Sequence, residues 1–388
     1  MKRLIWLALA ALSVSATAMW IRPDNDVPVD RLIKNVSESL KKQPKDAETA
    51  LTLARLYSLR FALAKPVTQF YVKGPGTGFP AWSSVKVPRE KKGVKLSAQE
   101  VADFRMSVKL YEQAIKLKAR PVAELGYAWM HEQAAPFASQ LGTANRDQWL
   151  IKAAALYKAL YLKVRDEELK GEGRMIGIGD RYIASEAGQR YMAICESTKV
   201  VKMSEKERME IVETMKTLET KMGPITPVVF SADPSTRLSE LLRPNARVKF
   251  DLVGDGVTRT FDWVAPSTIF LAWDPAQTGK ITSGRQLFGS GTFWAELGNG
   301  YKALAALDDN RDGWLSGREL TGIVGWQDRN GNGVSDLGEV TPITQLGVRR
   351  IATTWDGSWE KMPFSSMGIE MNDGSFRTSL DWTTTPKK

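Results

Sequence analysis

Two stretches near the C-terminus carry oxygen ligands at the spacing a hard cation needs. The first reads Asp308-Asp309-Asn310-Arg311-Asp312-Gly313-Trp314-Leu315-Ser316-Gly317-Arg318-Glu319, the second Asp328-Arg329-Asn330-Gly331-Asn332-Gly333-Val334-Ser335-Asp336-Leu337-Gly338-Glu339. Calcium takes six to eight oxygens, and a twelve-residue loop supplies them from alternate positions as the chain winds round the ion. In the first loop the ligand positions fall on Asp308, Asn310 and Asp312, the carbonyl of Trp314, Ser316 (directly or through water) and both oxygens of Glu319. In the second they fall on Asp328, Asn330, Asn332, the Val334 carbonyl, Asp336 and Glu339. Gly313 and Gly333 stand where the turn is sharpest, and Leu315 is placed to anchor the first loop in a core. Ser335 stands where an apolar anchor is usual, which leaves open what the second loop pairs with. One Asx- and Gly-rich turn could mimic such a site by chance; two complete ligand sets so close together are hard to explain that way.

Two weaker relatives lie upstream. Asp251 to Gly256 has the turn, with Val253 in place of a second carboxylate. Asp274 to Arg285 keeps the frame, but Ala276 and Arg285 occupy ligand positions. A guanidinium where the bidentate carboxylate belongs makes this a loop kept for packing, not for an ion.

Other chemistry is limited by what the chain lacks. Cys195 is the only cysteine and His131 the only histidine. No intramolecular disulfide and no His/Cys zinc cage can be assembled from them. His131 sits in AWMHEQAA with no serine elbow nearby, so a structural role is expected, and Cys195 reads as a buried thiol in RYMAICES. Gly74, Gly76 and Gly78 are not followed by Gly-Lys-Ser/Thr, which excludes a phosphate loop. No catalytic constellation emerges.

The elements that must hold these loops divide the chain in two. Lys2 and Arg3 precede an apolar run from Leu4 that ends in Ala16-Thr17-Ala18, the pattern of a cleavable signal peptide over residues 1–18. The run is short for a membrane span, and no later transmembrane candidate follows, so the expected location is periplasmic or extracellular. Residues 19–223 read as helical. Leu32, Val36 and Leu40 recur at helical spacing, a helix covers residues 47–63, and Ser97 with Glu100 forms a capping box. A long loop is expected between about Lys65 and Ser97, further helices over residues 148–164 and 182–195, and a last one opened by Ser204 and Glu207 and closed by Gly223-Pro224. Residues 224–246 read as a linker. From residue 247 to 388 Gly, Asp and Trp become frequent, eight of the thirteen tryptophans lying beyond residue 260. This part is expected to be an α+β domain with a C-terminal hairpin turning at Asn372-Asp373-Gly374.

Charge follows the same division. The net charge is +10, yet residues 247–388 hold 15 Lys/Arg against 17 Asp/Glu, so the positive excess lies in the helical half. The lysines are scattered and often beside glutamates, the pattern of a solvated helix surface; nucleic acid is not expected as a partner.

Residues 249–350 read FDLVGDG, WVAPSTIFLAWD, ITSGRQLFG, LDDNRDG and WQDRNGNG in succession. This resembles a bacterial extracellular EF-hand or dockerin-like calcium-binding module, and the resemblance implies calcium bound outside the cytoplasm without implying a reaction. Only eight residues separate Glu319 from Asp328, too few for two full helix–loop–helix hands. Residues 45–165 are similar, more weakly, to tetratricopeptide repeats. Leu53-Ala54 is followed by Tyr57 and Leu125-Gly126 by Trp129, with Tyr111, Ala114 and Pro121 at comparable offsets; a plain helical bundle is the alternative. The function expected is that of an exported calcium-binding protein, not an enzyme, whose two loops stabilise a binding or scaffold domain that meets a protein or cell-envelope partner through its helical half. The alternative is a calcium-dependent enzyme acting on cell-wall or extracellular polysaccharide, with carboxylate pairs as acid and base and tryptophans stacking on sugars.

Overall fold

The computed structural model describes residues 27–63, 67–68, 95–142, 145–170, 182–219, 225–254 and 257–387. The expected signal peptide, most of the expected long loop, and Asp255 with Gly256 lie outside the described residues.

The N-terminal half is helical. β1 (Val27–Pro28) leads into α1 (Val29–Lys42) and α2 (Ala47–Leu63), and β2 (Val67–Thr68) pairs antiparallel with β1. There follow α3 (Ala98–Lys116), α4 (Val122–Ala134), α5 (Arg146–Lys170), α6 (Ile183–Ser197) and α7 (Glu205–Glu219). The stripe Leu32, Val36 and Leu40 buries one face of α1, whereas α2 is buried nearly all round by Ala50, Leu51, Leu53, Ala54, Leu56, Leu59 and Phe61. A helix buried over most of its circumference must have neighbours on several sides, and α2 packs against α1, α3 and α4. The capping box at Ser97 is formed: its hydroxyl accepts from Glu100 N, and the Glu100 carboxylate accepts from Ser97 N at 2.6 Å. Gly126 lies under the ring of Tyr111; a Cβ there would stand 2.5 Å from ring carbons, so only glycine lets α3 and α4 approach this closely.

The C-terminal half is built on antiparallel β-structure. The strands are β3 (Val228–Ser231), β4 (Leu242–Phe250), β5 (Arg259–Val264), β6 (Thr268–Trp273), β7 (Trp314–Ser316), β8 (Ile323–Trp326), β9 (Val340–Pro342), β10 (Val348–Ala352), β11 (Gly357–Trp359), β12 (Met362–Met371) and β13 (Phe376–Asp381). One nine-stranded sheet runs in the order β7-β10-β12-β13-β3-β6-β8-β9, with β11 hydrogen-bonded to β12; β4 and β5 form a separate ribbon. Helical content is small: α8 (Gly300–Ala305) is the one α-helix of this half among the described residues, alongside short 3₁₀ turns. The α+β expectation is therefore corrected to an antiparallel β domain, because most of its turns are too short and Gly-rich to propagate a helix.

The expected linker is also corrected. Val228, Val229 and Phe230 are fully buried, and their strand lies between β13 and β6 near the middle of the sheet. The register pairs Phe230 with Ser379 on one side and Ile269 on the other. Four residues bounded by prolines look like connector in sequence; burial on both faces makes them core. Beside this strand, Phe250, Trp263, Phe270, Trp326 and Trp382 form an aromatic cluster with ring centroids 5.2–6.3 Å apart. Trp263, Trp273, Trp326 and Trp382, four of the eight tryptophans concentrated here, are thus core side chains. Buried apolar residues from Val29 to Trp382 form one continuous cluster across both halves.

Candidate metal centre

The first loop begins just after α8. Asn299 caps that helix, its side-chain oxygen accepting from Lys302 N, and Gly300 N donates to the buried carboxylate of Asp381. β7 lies within the loop: Leu315, fully buried, pairs with Ile351 of β10. This is the anchoring role expected of Leu315, its own strand β7 being the edge of the sheet. The Trp314 side chain lies under the guanidinium of Arg350, 4.0 Å from the ring centroid.

The carboxylates of the loop are turned onto its own backbone. Asp308, only 5% exposed, accepts from Arg311 N and Gly313 N. Asn310 Oδ1 accepts from Asp312 N, and Asp312 Oδ1 accepts from Trp314 N. Glu319 reaches back across the loop: one oxygen accepts from Asp309 N at 2.7 Å and the other from Ser316 N at 3.0 Å. Gly313 has φ +86°, where a side chain would be strained.

The second loop repeats most of this frame. Asp328, 1% exposed, accepts from Asn332 N and Gly333 N. Asn330 Oδ1 accepts from Asn332 N, and Asn332 Oδ1 from Val334 N. Glu339 accepts from Arg329 N and Asp336 N, the counterparts of Asp309 and Ser316. The third, fifth and twelfth residues of each loop therefore bind the same backbone amides, and the first shares the amide of the turn glycine, Gly313 or Gly333, while its second bond goes to Arg311 N in one loop and Asn332 N in the other. The second loop has further support: Trp263 Nε1 donates to Asp328 Oδ2 at 2.7 Å, and the backbone of Gly333 lies against Lys249 O, where a Cβ would come within 2.6 Å.

The sequence-degenerate loop keeps half of this frame. Asp274 accepts from Thr278 N and Gly279 N, and Gly279 has φ +66°. Its twelfth residue, Arg285, offers no carboxylate, and its side chain packs over the turn at Gly254. The loop has a definite partner nonetheless. The hydroxyl of Ser335 accepts from Ile281 N at 2.9 Å, and Lys280 Nζ donates to Ser335 O. The residue that stands in place of an apolar anchor joins the second loop to the degenerate one.

The donor types and their order fit a calcium ion in both loops. The pKa of Asp308 is raised, chiefly by burial, with smaller contributions from Glu319 and Asp312 against the lowering effect of the Gly313 and Arg311 amides. Asp336 goes the other way, its carboxylate stabilised by the side-chain amides of Asn330 and Asn332. Among the described residues no three His, Cys, Asp or Glu side chains converge as a metal-binding group; the acidic oxygens are arranged on amides at the loop rim. His131 is a packing residue, with Nδ1 2.8 Å from Tyr127 O, its ring against Tyr127 and Trp149, and its pKa pushed down to about 4, chiefly by burial. Cys195 is half-buried with a raised pKa, again chiefly from burial.

Three residues that matter to the loops lie far from them in sequence. Trp263, Arg31 and Asn35 reach them from 65, 278 and 274 residues away. Only Trp263 lay in a recognisable stretch, WVAPSTIFLAWD.

Comparison with known proteins gives a class of domain. Residues 239–380, which enclose all three loops, match the family described as the SPM domain. A particular relative is the iron-regulated protein FrpA of Neisseria meningitidis serogroup C, 31% identical over 107 residues. That alignment covers 26% of this chain and 10% of the relative, so the chain spans about a tenth of the curated protein it matches.

Proposed function

We propose that this is an exported calcium-binding protein of the EF-hand or dockerin-like kind, in which the loops Asp308–Glu319 and Asp328–Glu339 each hold one calcium ion and brace a binding or scaffold domain. The observation that carries the reading is the repeated hydrogen-bond frame. Two loops with different intervening residues place the third, fifth and twelfth ligand positions on the same backbone amides and the first on the amide of the turn glycine, with the twelfth-position glutamate bridging the loop. A bound ion would supply charge neutralisation for the clustered carboxylates. The protein's own residues supply the rest: glycines at the turn, Trp263 steadying Asp328, and Leu315 and Ser335 fastening the loops to neighbouring elements.

The ligands include three carboxylates per loop, which suits extracellular sites with dissociation constants of roughly 10⁻⁴–10⁻³ M. Calcium then acts as a brace, and the helical half meets a protein or cell-envelope partner. Terbium luminescence tests the reading, because Trp314 lies in the first loop and Trp326 immediately before the second. Tryptophan-sensitised emission that calcium competes away, and that is lost in Glu319→Gln/Glu339→Gln, is the expected result. No emission, together with no effect of calcium on thermal stability, would sink it.

A further inference from the structure

We infer that calcium at the first loop and docking of the helical half on the β domain are one coupled equilibrium, with α1 as the reader of the loop; the inference rests on the calcium reading above and goes further by assigning that site a regulatory contact. The contact is made at the start of the loop. Arg31 Nε donates to the Asp309 carboxylate at 2.9 Å and Arg31 Nη2 to Leu307 O at 2.6 Å. Asn35, only 2% exposed, donates to Asp309 Oδ1 at 2.8 Å and to Ala306 O at 3.0 Å. One turn of α1 thus grips three backbone or side-chain groups on either side of Asp308, the first ligand.

Asp309 is not a ligand, yet it joins the two events. Its carboxylate is held by α1, while its N–H is held by Glu319, the residue expected to supply two oxygens to the ion. Glu319 cannot swing toward an ion without changing its bond to Asp309 N, and Asp309 cannot move without changing its bonds to α1. The second loop has no such contact: its corresponding residue, Arg329, donates to Gly338 O within the same loop.

The seam beside this clasp has room to adjust. Between α1, α2 and α8 lies a cavity of about 120 Å³ lined by Val36, Ser39, Thr52, Leu297, Lys302 and Ala306, among others. A docking contact made of directional polar bonds next to incomplete packing can tighten, whereas a fully close-packed one cannot. Docked α1 prearranges the start of the loop, so calcium binds more tightly to the docked form. By reciprocity calcium strengthens docking by the same factor.

Amide hydrogen exchange on the purified chain tests this in both directions. Calcium should slow exchange of the α1 amides from Leu32 to Leu40 by about tenfold, within the ordinary range of intersite coupling. The slowing should persist in Glu339→Gln and vanish in Glu319→Gln. Conversely, in a Glu339→Gln background, Arg31→Ala/Asn35→Ala should weaken terbium binding at the first loop by about tenfold. Terbium binding at the first loop with no change in α1 exchange and unaltered affinity in the double variant would overturn the coupling and leave the calcium reading intact. Absence of terbium binding at that loop would overturn both. The exchange experiment on the unaltered chain stands even if the double variant does not fold.

Discussion

Ser335 and Ile281 are joined by a buried hydrogen bond in which the serine hydroxyl, 2.9 Å from Ile281 N, takes the place of a backbone carbonyl. Each is the eighth residue of its loop, one of them a loop with a full set of ligand residues and the other degenerate. The pairing explains why a loop that has lost its third and twelfth ligands keeps Asp274, Thr278 and Gly279: it is the partner on which the second loop is built.

Ser335→Ala leaves Ile281 N without its acceptor in a buried position, which costs about 1–3 kcal/mol. Urea unfolding should show a midpoint lowered accordingly, with terbium affinity reduced at the second loop and not at the first. An unchanged midpoint would mean that water or another group satisfies Ile281 N.

Calcium should stabilise the fold by mass action. With dissociation constants of roughly 10⁻⁴–10⁻³ M, 10 mM calcium contributes about 1.4–2.7 kcal/mol per occupied site. Glu319→Gln and Glu339→Gln should each remove one such increment and together remove the calcium dependence of Tm. A calcium-induced rise in Tm that survives the double change would place the ion elsewhere.

Glycines in the two turns should not be equivalent. Gly313 has φ +86° with open space around it, so Gly313→Ala meets only the left-handed backbone penalty of about 1–2 kcal/mol. Gly333 has φ +72° and would also drive a Cβ to 2.6 Å from Lys249 O, so Gly333→Ala should cost roughly 1–3 kcal/mol more. Equal losses in denaturant unfolding would contradict the close approach of β4 to the second loop.

Asp381 gives a pH dependence with a definite sign. Its carboxyl is fully buried, accepts from Gly300 N, and has its pKa raised to about 7, chiefly by burial. The unfolded chain releases this proton near pH ~3.9. Between about pH 4 and 7 the folded protein therefore holds the extra proton, and stability falls as pH rises through that window. Asp381→Asn should flatten this part of the stability profile in calcium-free buffer. A profile with the same slope in the variant would exclude Asp381 as its source.

Much of this protein was determined by its sequence within short windows. The apolar stripe of α1, the capping box at Ser97 and the order of oxygen donors in both loops depend on residues two to four positions apart, and local hydrogen bonding makes such patterns legible. The role of Leu315 as a buried anchor was legible for the same reason. The tertiary structure alone decided the partners. Val228–Ser231 became a core strand because β13 and β6 flank it from either side. Ser335 found Ile281 across 54 residues, and α1 found Asp309 across more than 270. Which groups meet over such separations is set by packing and chain closure, and no spacing in the sequence encodes it.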